Sequence, residues 1–380
     1  MKIISILDSS RAYGKERANL EVVHIMHEQG ADVKILINKI ADKSIREELI
    51  GFQYHEIPFP RDIGGVLRWF KYIGAFILTQ IYVWKFLRKE KPDYILVPTE
   101  IALTYLYIPL CLTNAKVVFR CGDSPLVFRK SGVATRIYGL LWKYVILVRV
   151  DTVVCNANFL QQQISMSGRK PNVHDTLIYN YPPAIVNKSD NVIFKKHPNT
   201  LRLGFMGRIV EDKGVRELLC AVRHINSKEE KVSAYICGDM TIDKSYADAL
   251  LSMADDSMEF VGPIYDLEKF YNNIDIVAIP SIYAEPMANV LTEAKYHKKA
   301  VIIFNKGGMP EIVEHLRTGF VCKSVSVESL VQGIMFYVEH PESVKRMGES
   351  AFLSIQELGL TKDVYEKKWL KVFSQYEERA

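Results

Sequence analysis

Short β-rich runs alternate with helical patterns along this chain, and the alternation happens twice. The first series is KIISIL, RANLEVVHIMHEQG, DVKILIN, YILVPT, KVVFRCG, DTVVCN and FLQQQISMSG. The second begins at TLRLGFMG and continues through GVRELLCAVRHI, VSAYICGD, YADALLSMA, MEFVGPI, LEKFYNN, DIVAIPS, MANVLTEAKYH, AVIIFN, MPEIVEH and GFVCK. Strands separated by helices of about ten or more residues call for right-handed βαβ units and a parallel sheet. Two such series predict two doubly wound α/β domains, and 380 residues is long enough for both. The Asn-, Pro- and Lys-rich stretch NYPPAIVNKSDNVIFKKHPNT has no sustained periodicity and reads as the join. The expected domains are residues 1–185 and 199–362, with 186–198 as linker. An amphipathic helix at 363–380 is expected to pack back towards the N-terminal domain. Two such domains facing each other would bring the C-terminal ends of both sheets around one central cleft, where open α/β sheets bind ligands.

Charge is unevenly spread. Up to Ala184 there are 24 Lys+Arg against 16 Asp+Glu, and beyond it 25 against 28, so a net +8 is followed by a net −3. The basic front half is either a solvated surface or the side that meets an anionic partner. Six cysteines, at 111, 121, 155, 220, 237 and 322, stand far apart with no C-x-x-C pair. They read as reduced core thiols of a cytoplasmic protein. The apolar run in MKIISILDSS is too short for a signal peptide and reads as a buried first strand.

No segment reaches the roughly 20 apolar residues of a spanning helix. YIGAFILTQIYVWKFLRK and YGLLWKYVILVR mix Trp, Tyr and Leu with Lys and Arg. Each is either a core helix with snorkelling ends or a helix lying on an anionic membrane surface. The histidines at 24, 27, 297 and 315 fall on helical patterns and read as surface or core residues.

Candidate chemistry is concentrated in the second half. In LGFMGRIVEDKGVREL a strand ends at Met206, Gly207 permits a tight turn, and Arg208 and Lys213 precede a helix beginning near Gly214. Cations at a helix N-terminus oppose its dipole, so an anion would explain them. Arg binds phosphate in a fork and Lys as a point charge, and together they suit a diphosphate. The competing reading is an exposed basic loop paired with Glu211 and Asp212. In SIYAEPMANVLTEAKYH, Glu285 and Glu293 flank the start of a helix expected over 287–297, with Pro286 at its first turn. Gly307 and Gly308 permit close backbone approach after a strand, and Glu311 falls where a helix is expected to start.

GRIVEDKG, DIVAIPSIYAEPMANVLTEA and GGMPEIVEHLRTGFV together resemble the C-terminal signature of the retaining glycosyltransferases of family 4, the group 1 glycosyl transferases. These adopt GT-B architecture, two facing Rossmann-like domains. The resemblance is strong over residues 200–325. It extends more weakly to YGKERANLEVVHIMHEQGADV, FRCGDSP, DTVVCNANFL and IYNYPP. It implies that Arg208 and Lys213 hold the donor diphosphate and stabilise the leaving group. Glu285 would contact the sugar hydroxyls and Glu293 the ribose. Amides of Met287, Ala288, Asn289 and Val290 would meet the phosphates, backbone at Val261, Gly262 and Ile264 would read the base, and Gly14 would let the N-terminal loop approach the diphosphate. The chain departs from the pattern at Ala288, where Gly is common, and in AYGKE, where a second Gly is common. It has RCGD where many members show His-Asp, so Asp123 is carried over as a catalytic candidate without its His.

The resemblance implies a hexosyltransferase-type enzyme with front-face transfer and retention, a nucleotide sugar, preferably UDP-linked, as donor, and a saccharide or lipid-linked saccharide as acceptor. The setting implied is bacterial exopolysaccharide, capsule or cell-envelope glycan synthesis, in the cytoplasm or at the inner face of its membrane. The sequence has neither Asp-x-Asp nor a zinc-spaced cluster, so transfer is expected to need no metal and no cofactor. A GT-B epimerase, a phosphorolytic enzyme and a non-catalytic partner subunit share the fold. A dehydrogenase would need G-x-G-x-x-G after the first strand, and a nucleic-acid binder a groove-reading motif or stacking aromatics on a basic surface. The chain has none of these.

Overall fold

The computed structural model describes residues 1–11, 14–59, 68–129, 131–169, 172, 174–182, 192–227 and 231–375. The chain divides into two compact units, Met1–Tyr179 with Asp363–Ala380, and Asn180–Lys362. Of the expected linker, residues 186–191 lie outside the described part. From Val192 onwards the chain packs on the second unit: Phe194 meets Tyr235 with ring centroids 5.4 Å apart, and the Tyr235 hydroxyl donates to the Lys195 carbonyl at 2.6 Å.

Unit 1 holds β1 (Lys2–Leu7), β2 (Asp32–Asn38), β3 (Gln53–Ile57), β4 (Tyr94–Val97), β5 (Lys116–Cys121), β6 (Thr152–Cys155) and β7 (Thr176–Leu177). They form one parallel sheet in the order β3-β2-β1-β4-β5-β6-β7. Strands such as YILV and TVVC are buried throughout because helices cover both faces of a parallel sheet, and β-branched side chains suit that setting. The helix Lys362–Ser374 buries Tyr365, Trp369 and Phe373. Phe373 packs edge-on against Tyr94 at 5.2 Å, and the Tyr365 hydroxyl donates to the Ala18 carbonyl at 3.2 Å. The six cysteines are free, and Cys121 and Cys155 stand opposite each other across β5 and β6.

Unit 2 repeats the plan with β8 (Leu201–Met206), β9 (Val232–Cys237), β10 (Met258–Gly262), β11 (Ile276–Ile279), β12 (Ala300–Phe304) and β13 (Gly319–Cys322). Its order is β10-β9-β8-β11-β12-β13, again all parallel. Side-chain N-caps from Asp243, Asp266 and Ser326 start three of its helices. In both units the strand order reverses beside the first strand, between β1 and β4 and between β8 and β11. Loops leaving the two strands at such a point diverge to opposite faces and open a crevice at the sheet's C-terminal edge. The two units therefore have the Rossmann-like folds expected of the chain.

The stretch after β11 corrects one expectation. Pro286 is not inside a helix: the helix spans Asn289–Tyr296 with Ala288 as its cap residue. The preceding segment is held as a loop. Gly308 N donates to the Glu285 carbonyl at 2.8 Å, and Ile282 N and Tyr283 N both donate to the Asp212 carbonyl, at 3.0 and 3.2 Å. Those cross-links take up backbone groups that a helix would use internally. Glu311 likewise lies in a single 3-10 turn, Met309–Glu311, and not at the start of a helix. The first turn closes there on itself, with Glu311 N donating to Gly308 O at 3.0 Å and Ile312 N to Met309 O at 3.2 Å.

Candidate functional site

The crevice of unit 2 lies between the loops that follow β8 and β11. After β8, Gly207 N donates to the Cys237 carbonyl, and a 3-10 turn spans Glu211–Lys213. Gly214 then takes a left-handed conformation (φ 69°) against the Pro280 backbone, where a Cβ would collide with the Pro280 carbonyl, and the helix Val215–Ile225 begins. This crossing ties the loop after β8 to the end of β11.

It also brings Lys213 to Glu285. Lys213 Nζ donates to Glu285 Oε1 at 2.5 Å, and the Ser281 hydroxyl donates to the same oxygen. Glu285 is 7% exposed and Ser281 is buried. The carboxylate is thus held by one cation and one hydroxyl, both on Oε1. Lys213 does not pair with Glu211 or Asp212, whose side chains are exposed. Arg208 is also exposed, and no ion pair or hydrogen bond engages its guanidinium among the described residues.

Gly307 supports this arrangement from β12. Its φ is 70°, and a Cβ there would collide with the Glu285 carbonyl. Glycine at 307 is therefore needed for backbone to pass against the Glu285 loop. At the helix that follows, Asn289 and Val290 are its first two residues, while Met287 and Ala288 precede it. The Asn180 amide donates to the Asn289 side-chain oxygen at 3.0 Å. Glu293 lies in the middle of the same helix and accepts from the Tyr271 hydroxyl at 3.4 Å. Tyr271 is fully buried and stacks on His297 at 4.2 Å. Burial, then the neighbouring Glu293, raise the Tyr271 phenol well above its usual range, so it stays a donor. Burial lowers His297 to about 4, so it is a neutral stacking partner at pH 7.

Val261 and Gly262 form the C-terminal end of β10, where the register with β9 shifts between Phe260 and Gly262, and Ile264 follows it. The Gly262 carbonyl accepts from Gly238 N at 2.9 Å. Arg208, Lys213, Glu285, Glu293, Val261–Ile264 and Met287–Val290 thus all belong to unit 2, at the end of β10, on loops that follow its strands or on the helix Asn289–Tyr296. Gly14 and Asp123 belong to unit 1. Gly14 opens the helix Gly14–Glu28, and Asp123 follows β5, accepting from Ser124 N at 2.8 Å with Arg129 at 3.4 Å.

Two residues escaped the sequence reading. Ser281 is the first hydroxyl after the apolar end of β11, which is the only signal it carries. Glu100 follows β4, accepts from Leu126 N at 2.8 Å and lies 3.9 Å from Arg129. Burial raises its carboxyl above the usual range. Thr99 caps the helix Glu100–Tyr105, accepting from Ala102 N and donating to Asp8, both at 2.9 Å. Among the described residues no three His, Cys, Asp or Glu side chains converge as a ligand set for a metal ion.

Residues 188–353 match the family model described as glycosyl transferases group 1. The chain is 27% identical over 150 residues to the capsular polysaccharide biosynthesis glycosyltransferase CapM of Staphylococcus aureus, covering 39% of each chain. It is 28% identical over 141 residues to the lipopolysaccharide 1,2-N-acetylglucosaminetransferase of Salmonella typhimurium, covering 34% of this chain and 37% of that one. These matches span about two fifths of the relatives' own lengths. Among solved structures, a glycosyltransferase from Rickettsia africae superposes with a TM-score of 0.78 at 17% identity, over 100% of this chain and 99% of that one. Anabaena Alr3699/HepE, solved in complex with UDP-glucose, gives 0.75 at 19% identity over 97% and 99%. At these identities the superpositions establish a shared fold, which is that of the GT-B glycosyltransferases.

Proposed function

We propose, from the match of residues 188–353 to the model of the group 1 glycosyl transferases, that the protein is a retaining glycosyltransferase, moving a hexosyl group from a nucleoside diphosphate sugar to a saccharide or lipid-linked saccharide. UDP is the proposed nucleotide, in keeping with the UDP-glucose bound to Alr3699/HepE. Bacterial capsule, exopolysaccharide or envelope glycan synthesis is the proposed setting, in keeping with the names of the relatives. The proposed location is the cytoplasm and the inner face of its membrane.

One observation carries the reading. At the switch point of unit 2, an exposed Arg208 stands on the same loop as Lys213, whose ammonium is fixed on Glu285 at 2.5 Å. In the proposed mechanism Arg208 takes the diphosphate in a fork, and Lys213 adds a point charge as negative charge develops on the leaving phosphate. The two cations do the work a divalent ion does elsewhere, so the transfer is proposed to need no metal. Lys213 and Ser281 both occupy Oε1 of Glu285, so Oε2 is available to accept from a sugar hydroxyl. Glu293 accepts from the ribose, backbone of Val261, Gly262 and Ile264 meets the base, and the amides of Met287 to Val290 meet phosphate oxygens. Gly14 and Asp123 serve from unit 1. The bond from the sugar to the leaving phosphate breaks while the acceptor oxygen attacks the same face, and the acceptor's proton passes to the departing phosphate oxygen.

The test is a thermal-shift panel of UDP- and GDP-linked hexoses, hexosamines and uronic acids, with and without chelator, beside Glu293→Ala. A ligand that favours the folded state raises the melting point through RT ln(1 + [L]/Kd). A chelator-insensitive rise with one nucleotide, reduced in the variant, is expected. No rise with any donor, or one that requires metal, contradicts the proposal.

A further inference from the structure

Two helical segments of unit 1 leave large apolar side chains in water. On the helix Arg68–Glu90, Ile73, Ile77 and Ile81 recur every fourth residue and are exposed, Ile73 by 53%, while Val83, Phe86 and Leu87 turn into the core. On the helical run Val133–Arg149, Val133, Ile137, Leu140, Tyr144 and Val148 are exposed, Ile137 by 64% and Leu140 by 60%. The segment is locally widened, with π-helical turns over Trp142–Ile146. Patches of this kind on a monomer mark an interaction surface.

A groove of about 450 Å³ opens on this face, lined by Tyr72, Ile73, Phe76, Thr104 and Tyr105. Its size falls in the range of small-molecule sites. The rings of Tyr72 and Phe76 meet Tyr105 at 6.0 and 5.7 Å, and the one hydroxyl-bearing aliphatic wall residue, Thr104, is engaged with the Tyr138 hydroxyl at 3.0 Å. Tyr138 belongs to the second segment, so groove and exposed apolar seam are continuous.

Charge identifies the occupant. Residues 68–90 and 126–149 together carry ten Lys and Arg, of which Arg129 and Arg149 pair with Asp123 at 3.4 Å and Asp151 at 2.9 Å, and a single carboxylate, Glu90. That carboxylate is partly buried and spent on Lys34 at 2.6 Å and Lys2 at 3.3 Å. Arg136, Lys85, Arg88 and Lys89 are exposed. A second copy of the same face would bring like charges together, whereas an anionic bilayer complements both the cations and the apolar seam. No helix among the described residues is long and apolar enough to cross a membrane, so contact would be interfacial. We propose that this face docks on an anionic membrane surface and that the Tyr72–Tyr105 groove takes a hydrocarbon chain of a lipid from it. A lipid-linked acceptor is one such lipid, but docking requires neither donor nor transfer.

The test is co-sedimentation of the full chain with vesicles of phosphatidylglycerol and phosphatidylcholine in equal parts, and with phosphatidylcholine alone. No nucleotide sugar is present, so failure here leaves the donor reading untouched. Binding is expected to the anionic vesicles, to decline with salt, and to fall at least about tenfold in Ile137→Asp/Leu140→Asp. Both positions are exposed, so circular dichroism and melting should match the unaltered chain. Groove occupancy is read from cis-parinaric acid fluorescence, expected to saturate and to be lost in Ile73→Glu. Absence of vesicle binding, equal binding by the double variant, or equal binding to neutral vesicles overturns the membrane proposal. A dimer in lipid-free solution that the double variant abolishes overturns it in favour of a second copy, and unchanged parinarate binding in Ile73→Glu removes the groove.

Discussion

Replacing Gly307 by Ala tests whether the Glu285 loop is held as described. Gly307 has φ 70°, and the new Cβ would meet not only the Glu285 carbonyl but the Ala284 carbonyl carbon and Glu285 N, both at 2.8 Å. All three are backbone, so no side chain can swing aside. The left-handed conformation costs Ala about 1 kcal/mol, and overpacking against fixed backbone adds about 2 kcal/mol. If the loop yields instead, it loses the 2.8 Å bond from Gly308 N to Glu285 O, worth about 1 kcal/mol. The cost is about 3 kcal/mol if the loop holds and about 2 kcal/mol if it yields. At about 2–4 °C per kcal/mol for a unit of this size, Tm should fall by about 4–12 °C. Gly262 supplies an internal control, since its φ is 83° but nothing lies within 4 Å of its Cβ position. Gly262→Ala should carry only the conformational cost, about 1 kcal/mol or 2–4 °C. Calorimetry on both variants decides, and equal shifts for the two would refute the claim that the loop is pinned at Gly307.

Two further outcomes follow from particular groups. Lys295 is 0% exposed, donates to Ser354 Oγ at 2.7 Å and has a pKa lowered to about 8, first by burial and then by Arg317. Its folded pKa is below its unfolded one, so the unfolded state binds more protons between about pH 8 and 10.5 and stability rises with pH across that window. Lys295→Met should remove this dependence and be about 2 kcal/mol more stable at pH 7, from an upper bound of about 3 less about 1 for the lost bond; denaturant melts at pH 7 and 10 check it. Glu285→Gln keeps shape but loses charge, so turnover should fall by about 100-fold or more while nucleotide affinity changes less, as kcat against the Kd for UDP would read.

Much of the fold was legible because its signal is local. Apolar β-branched runs such as AVIIF and IVAI sit where the alternation puts them, and each is buried throughout. Strand β3 was not legible, because QYHEI lies at the sheet edge with four of its five residues at least partly exposed and has no apolar run. The two-residue β7 is too short for any pattern. Within the site, residue types showed what could bind an anion, but not who pairs with whom. Lys213 and Glu285 are 72 positions apart and meet only because β8 and β11 are neighbours. Sequence proximity pointed instead to Glu211 and Asp212. Pro286 suggested a helix start on local grounds, and hydrogen bonds from Gly308 and to Asp212, both distant in sequence, decided otherwise. The apolar helices of unit 1 left two readings open because one stripe of each is core and another is exposed, a division that only packing draws.

The central claim is that the crevice between β8 and β11 binds a nucleoside diphosphate through Arg208. Isothermal titration of UDP into the full chain and into Arg208→Ala, each with and without EDTA, tests it most directly. Arg208 is exposed and makes no internal bond among the described residues, so its loss should leave the fold intact. The account predicts binding by the unaltered chain that EDTA does not change, and a Kd at least about tenfold weaker in the variant, the equivalent of one charge-assisted phosphate contact of about 1.5 kcal/mol or more. Equal Kd values for the two proteins, or binding that disappears with EDTA, would contradict it.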